Sequence, residues 1–170
     1  LLACLFSKTN FLDVLQNFTV FEPVDGRIIK KIPRYQQFRA VHKTIERLKE
    51  GETPKEKSGV IWHTQGSGKS LTMVFLTIKM RRDPELRDYK LVFLTDRTQL
   101  DSQLTSTFSK AQGETVRHAD SVKSLRELLS SDASDIITAM VQKFQESADE
   151  FEFPVLNESE KVIVLADEAH

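Results

Sequence analysis

Apolar residues recur along this chain in two rhythms, one helical and one strand-like. Phe11, Leu12 and Leu15 form a stripe, with Thr9 or Asn10 placed to cap it, and this predicts a helix over 9–17. Phe18 to Phe21 and Arg27 to Ile32 read as strands, and Asp25-Gly26 between them is a hairpin signal. Pro23 limits that hairpin to an edge position, because proline has no N–H to give a ladder. Val41, Ile45 and Leu48, spaced by four and three, predict a helix over 34–49. The polar stretch from Gly51 to Lys57, with Pro54, reads as a loop. A short apolar run at 59–62 predicts a strand with Trp62 in the core. A polar turn follows, and then a helical pattern at Leu71, Val74, Phe75 and Ile78 runs to about Arg81, where Asp83-Pro84 stops it.

The remaining residues keep alternating. Lys90 to Thr95 is an apolar run and predicts a buried strand. Arg97 to Phe108 carries Leu100, Leu104 and Phe108 on one helical face. Thr115 to Arg117 is a weak strand. Ser121 to Ser130 is a helix capped by Ser121, with Val122, Leu125 and Leu129 as its apolar side. Asp135 to Met140 is a strand, followed by a helical turn at 141–146, an acidic irregular stretch over 147–160, and a last strand from Lys161 to Ala166. Strands alternating with helices imply an α/β fold with a mainly parallel sheet covered on both faces.

At 170 residues the chain is one domain by size and can bury a substantial core. Its net charge of −1 provides no bulk field for nucleic acid, so any such contact must come from local groups. Cys4 is the only cysteine, which excludes a disulfide framework and a cysteine metal site and suits a reducing, cytoplasmic setting. No apolar run approaches the roughly 20 residues of a membrane span. The chain begins at Leu1 without a basic leader and stops at His170 after a strand-like run, and it reads as a piece of a longer protein.

The order of strand, glycine turn and helix from Val60 to Ser70 is what a P-loop requires. Gly66 and Gly68 let backbone N–H groups close around an anion without a Cβ in the way. The following helix N-terminus adds unpaired donors and a positive dipole end. Lys69 can reach the outer phosphates of a nucleotide, and the Ser70 hydroxyl can sit on Mg²⁺. The strict pattern has a small residue where this chain has His63, whose side chain either touches the nucleotide or packs. A second site follows the run Val162 to Ala166: the carboxylates of Asp167 and Glu168. Strand C-termini line the ligand crevice of a parallel sheet, which would place this pair at the same edge as the P-loop. There Asp167 can hold Mg²⁺ and Glu168 can orient a water.

With Gly66-Ser67-Gly68-Lys69-Ser70 and Asp167-Glu168-Ala169-His170 on the page, the chain resembles the superfamily 2 helicases and translocases of the DEAH-box form. Further stretches narrow the resemblance to the motor subunit of type I restriction enzymes. Trp62 to Ser70 is similar to that family's P-loop, and Leu94-Thr95-Asp96-Arg97 with Leu100, Asp101 and Gln103 to its motif Ia. Thr138 with Gln142-Lys143-Phe144 resembles its next motif, and Arg34 to Ala40 the adenine-reading segment ahead of the P-loop. Phe18 to Phe21, leading to Lys31, is similar to the approach to its first motor domain.

The resemblance implies a P-loop NTPase of RecA-like architecture, a three-layer sandwich. Residues 1–33 would lead in from an upstream nuclease domain, and 34–170 would form the first RecA-like ATPase domain. It implies that ATP hydrolysis drives double-stranded DNA past a complex that also holds specificity and methyltransferase subunits. ATP would be held by Thr64, Gln65, Gly66, Ser67, Gly68, Lys69 and Ser70. Adenine would be read by Gln37, with Gln36 as the alternative and Arg34 and Tyr35 packing on the base. Lys69, Asp167 and Glu168 would be catalytic, with Ser70 and Asp167 on Mg²⁺. Thr95, Asp96, Arg97, Thr138 and Lys143 would face nucleic acid, although Arg97 could instead pair with Asp96 or Asp101. In this family the second RecA-like domain supplies arginines for turnover, so this piece is expected to bind ATP and barely hydrolyse it. A helicase for repair or RNA, or a nucleotide-binding module without turnover, stands as the alternative.

Overall fold

The hairpin signal at Asp25-Gly26 is realised. In the computed structural model, which describes residues 6–95, 116–140 and 155–167, Asp25 (φ 48°) and Gly26 (φ 75°) both turn left-handed. That pair of angles suits a two-residue hairpin between right-twisted strands. It joins β1 (Val20–Val24) to β2 (Arg27–Lys31), antiparallel, with Val24 opposite Arg27 and Val20 opposite Lys31. An ion pair between Glu22 and Lys31 bridges them. The chain divides into two compact units, residues 1–87 and 88–170.

Among the described residues the first unit holds three substantial helices. α1 spans Lys8–Asn17, α2 Tyr35–Glu50 and α4 Lys69–Arg82. α2 buries Gln37, Val41, Ile45 and Leu48, the predicted stripe extended one turn towards its N-terminus. α4 buries Thr72, Val74, Phe75, Leu76, Thr77, Ile78 and Met80. A helix apolar nearly all round is an interior helix. Phe18, expected as the first strand residue, instead follows α1 and is fully buried. Its ring lies 4.8 Å from Phe38 and 5.4 Å from Phe75. The polar stretch at 51–57 contains a single helical turn, α3 (Pro54–Lys57), where a loop was expected. Thr53 and Glu56 cap it reciprocally, and Pro54 occupies its first position, where a missing N–H costs nothing.

The predicted strand at 59–62 does not form. Among the described residues no strand pairs with it, and Val60 and Trp62 are 89% and 88% exposed, so Trp62 is not a core residue. An apolar run becomes a strand only when a neighbour takes up its backbone N–H and C=O groups.

The second unit is built on a four-stranded parallel sheet in the order β4-β5-β3-β6. Its strands are β3 (Lys90–Thr95), β4 (Val116–His118), β5 (Ile136–Met140) and β6 (Val162–Ala166). The inner strands β3 and β5 pair Leu91 with Ile136 and Thr95 with Met140, and are buried almost throughout. Continuous apolar strands of this kind are the mark of a parallel sheet. α5 (Val122–Ser130) crosses between β4 and β5 and buries Leu125 against Ala119 and Ala139. Ser121 caps it as expected, accepting from Ser124 N–H at 3.1 Å. Lys90 is a buried lysine at the start of β3. Its ammonium donates to the carbonyls of Leu128 (2.5 Å) and Ser131, which neutralises the end of α5. Burial lowers its pKa from the ordinary lysine value. The predicted helices at 97–108 and 141–146 lie outside the described residues.

Candidate functional site

The loop ahead of α4 is a tight turn in which Ser67 N–H donates to Thr64 O at 3.1 Å. Gly66 (φ 74°) and Gly68 (φ 84°) are both left-handed, a conformation that costs a residue with a Cβ about 1–2 kcal/mol. At Gly66 an added Cβ would meet nothing within 4 Å, whereas at Gly68 it would lie 2.6 Å from Gln37 Nε2. Gly68 is the N-cap of α4, and its carbonyl accepts from Thr72 N–H (3.0 Å) and Thr72 Oγ1 (3.1 Å). Lys69 and Ser70 therefore open a 14-residue helix, whose first N–H groups have no intrahelical acceptor and whose dipole favours an anion.

Two polar atoms in this loop lack partners. Ser67 Oγ and His63 Nδ1 are enclosed and make no hydrogen bond. An enclosed hydroxyl without an acceptor is costly, and a phosphate oxygen supplies that acceptor. The residues present therefore fit a polyphosphate.

Gln37 is 2% exposed and is drawn onto this loop. Its Oε1 accepts from Arg34 N–H at 2.8 Å, which caps α2. Its Nε2 donates to Gly68 O at 2.9 Å and to Ser67 O at 3.3 Å. Tyr35, two residues earlier, is 44% exposed.

In the second unit, Asp167 directly follows β6, and its N–H donates to Leu94 O at 2.9 Å. Its carboxylate group thus stands at the C-terminal edge of the sheet. Among the described residues, no cluster of three or more His, Cys, Asp or Glu could hold a metal. Thr95 ends β3 and Thr138 lies in the middle of β5, and both are buried, at 2% and 1% exposure. Thr138 Oγ1 lies 3.0 Å from His118 Nδ1, at the end of β4. Asp96, Arg97, Lys143 and Glu168 lie outside the described residues.

Sequence reasoning missed His118, Lys90 and the carboxylate of Asp13. Asp13 on α1 accepts from Lys79 Nζ at 2.7 Å on each oxygen and from Asn17 Nδ2 at 2.6 Å, and His42 Nε2 lies 2.7 Å from one oxygen. Burial alone would raise its pKa, but these donors outweigh it and hold the carboxyl well below the usual carboxylate range. Only the helical spacing of Asp13 and Asn17 was visible in the sequence.

Among the described residues, no helix is long and apolar enough to cross a membrane. The model of the SWI2/SNF2 ATPase family matches residues 36–170. Over its whole length the chain is 39% identical to the protein named type I restriction enzyme MjaIXP endonuclease subunit from Methanocaldococcus jannaschii. It is 37% identical, again over its whole length, to the type I restriction enzyme HindI endonuclease subunit of Haemophilus influenzae. A subunit of the same class from Staphylococcus saprophyticus is 29% identical over 92% of the chain. The chain spans 16%, 17% and 16% of these relatives' lengths. An α/β fold with a parallel sheet and a glycine loop opening a helix is what a RecA-like P-loop NTPase requires, and with the family match across most of its length this chain belongs to the SWI2/SNF2 ATPases.

Proposed function

We propose that this chain is the ATP-binding portion of a DNA translocase motor in a type I restriction endonuclease. The observation that carries the proposal is the Thr64–Ser70 loop. Two left-handed glycines bring its backbone to the start of α4, and the unpartnered Ser67 hydroxyl is enclosed within it. Thr64, Gln65, Gly66, Ser67 and Gly68 wrap the phosphates of ATP, and Lys69 reaches the outer ones. Ser70 and Asp167 would hold Mg²⁺, which neutralises charge on the phosphate oxygens when bound. Glu168 orients the attacking water. Gln37 belongs to the nucleotide site through the loop that it touches.

Arg97 and Lys143 are assigned to DNA phosphates, beside Asp96. The buried Thr95 and Thr138 serve that face indirectly, through the strands β3 and β5 that carry them. The similar proteins are named as type I restriction endonuclease subunits. On the pattern of the family that the motifs resemble, double-stranded DNA is the track, specificity and methyltransferase subunits are the partners, and the cytoplasm is the setting. Turnover on the family pattern draws on arginines from a second RecA-like domain. Calorimetric titration of the chain with ATP and Mg²⁺ tests the reading. Saturable binding is expected, and no binding at millimolar ATP would remove it.

A further inference from the structure

An amphipathic helix normally turns its apolar stripe inward, and α1 does the reverse. Its partly covered positions, spaced by three and four, are Asn10, Asp13, Val14 and Asn17, and only one of them is apolar. Polar contacts hold that side. Asp13 meets Lys79 and His42, and Arg82 donates to the carbonyl of Gln16 and to Asn17 Oδ1. The other side carries Phe11, Leu12 and Leu15, which are 48%, 50% and 47% exposed, and no residue of the helix is buried. A helix of ten residues is marginal by itself and is ordinarily held by its apolar face. Beside the stripe opens a cleft of about 500 Å³ lined by Lys8, Leu12, Asp13, Gln16, His42 and Lys79. Asp13 and Lys79 neutralise each other in its wall, so the charge that an incoming group meets is the exposed Lys8.

We propose that the outward face of α1 is an internal docking surface, covered by an amphipathic helix from another part of the same, longer polypeptide. That helix lays apolar side chains on Phe11, Leu12 and Leu15 and brings a carboxylate to Lys8. This rests on the reading above that the chain is one portion of a motor subunit. Two observations select the occupant. The chain spans 16% and 17% of two relatives that match its whole length, so most of such a polypeptide lies outside it. The face is also too small for a separate protein. A stable interface takes roughly 20–30 residues a side, and α1 has ten. A tethered segment meets the face at high effective concentration, so a small apolar contact suffices for it.

Leu15→Cys tests this in the intact subunit and in the 170-residue chain, with every other cysteine replaced by serine. Labelling of each folded protein by a maleimide is timed. The subunit should react roughly tenfold more slowly than the chain, or slower still, because its helix must open before the thiol is reached. Equal rates would overturn the proposal. Protection of the subunit only after other subunits are added would also overturn it, since a separate protein would then hold the face. Labelling of the chain that slows with its own concentration would do the same in favour of a second copy. Phe11→Gln gives a measurement that needs no cysteine replacement. The unfolding midpoint of the chain should not fall, because the ring is exposed, whereas that of the subunit should. A subunit midpoint that stays in place would overturn the docking. Titration of the unmodified subunit with ATP tests the motor reading separately: a subunit that protects position 15 and binds no ATP would refute that reading and keep the covered face.

Discussion

Lys79 Nζ lies 2.7 Å from both carboxylate oxygens of Asp13, across 66 residues of sequence. The pair joins α1 to α4, the helix that the phosphate loop opens, and His42 adds α2 to the same carboxylate. Both partners are mostly buried, at 14% and 16% side-chain exposure. Removing one partner of such a pair leaves the other charge without compensation. Asp13→Ala is therefore expected to cost about 3 kcal/mol at pH 7. The pKa of Asp13 is depressed in the folded state, so its contribution is complete above the unfolded carboxylate value of about 3.9 and fades as pH falls towards the folded value. Urea denaturation of both proteins at pH 7 and pH 3 checks this. The gap between them should shrink at the lower pH, and a gap that widens would contradict the assignment.

Lys69 opens α4 immediately after the left-handed Gly68. Its ammonium contributes a charge-assisted contact to phosphate, worth about 1.5–3 kcal/mol, so Lys69→Ala should weaken ATP binding by roughly ten- to a hundredfold. The circular dichroism spectrum should not change, because the residue begins a helix whose buried face lies further along. Unaltered ATP affinity in calorimetry would count against the phosphate-loop assignment.

Much of this fold was legible because single-chain periodicity determines it. Val41, Ile45 and Leu48 announced α2, and the apolar runs of β3, β5 and β6 announced a parallel sheet. Asp25-Gly26 announced its own backbone angles. The failures concern partners rather than periods. The run at 59–62 was apolar enough for a strand, yet among the described residues no strand pairs with it, and Trp62 is exposed. Thr95 ends β3 as expected and Thr138 lies mid-way along β5, but burial in an inner strand depends on both neighbours. The glycines and lysine of the loop were legible as a motif. That the Gln37 amide meets the loop's carbonyls 30 and 31 residues away was not, since no spacing rule encodes a tertiary hydrogen bond.

Phe18 is fully buried among Phe38, Phe75 and the ring of His42, so one aromatic residue after α1 contacts both α2 and α4. Truncating a buried aromatic costs its transfer free energy and leaves a cavity. Phe18→Ala is expected to destabilise the chain by about 3–5 kcal/mol and Phe18→Leu by clearly less. Thermal unfolding followed by circular dichroism would show the ordering. A Phe18→Ala midpoint equal to wild type would mean that the ring does not anchor α1.

The two glycines of the loop make the sharpest test of its geometry, because they share a left-handed backbone but not a neighbourhood. An alanine at 66 meets strain alone, since nothing lies within 4 Å of its Cβ. Strain of that kind costs about 1–2 kcal/mol, so Gly66→Ala should weaken ATP binding by up to roughly thirtyfold. An alanine at 68 meets the same strain and also places its Cβ 2.6 Å from Gln37 Nε2. That amide is buried and held by three hydrogen bonds, so it cannot swing aside without releasing the loop. Gly68→Ala should therefore cost more than Gly66→Ala, by about 1–3 kcal/mol of overpacking. The excess should belong to the pair. In a Gln37→Ala background the amide is gone, the clash is relieved, and the further cost of Gly68→Ala should fall to that of Gly66→Ala. Contacting residues couple in this way, whereas distant ones add. Calorimetric affinities for ATP across the four proteins of the cycle measure the coupling. Strict additivity of Gln37→Ala and Gly68→Ala would show that the amide does not rest against Gly68 when the loop binds its ligand.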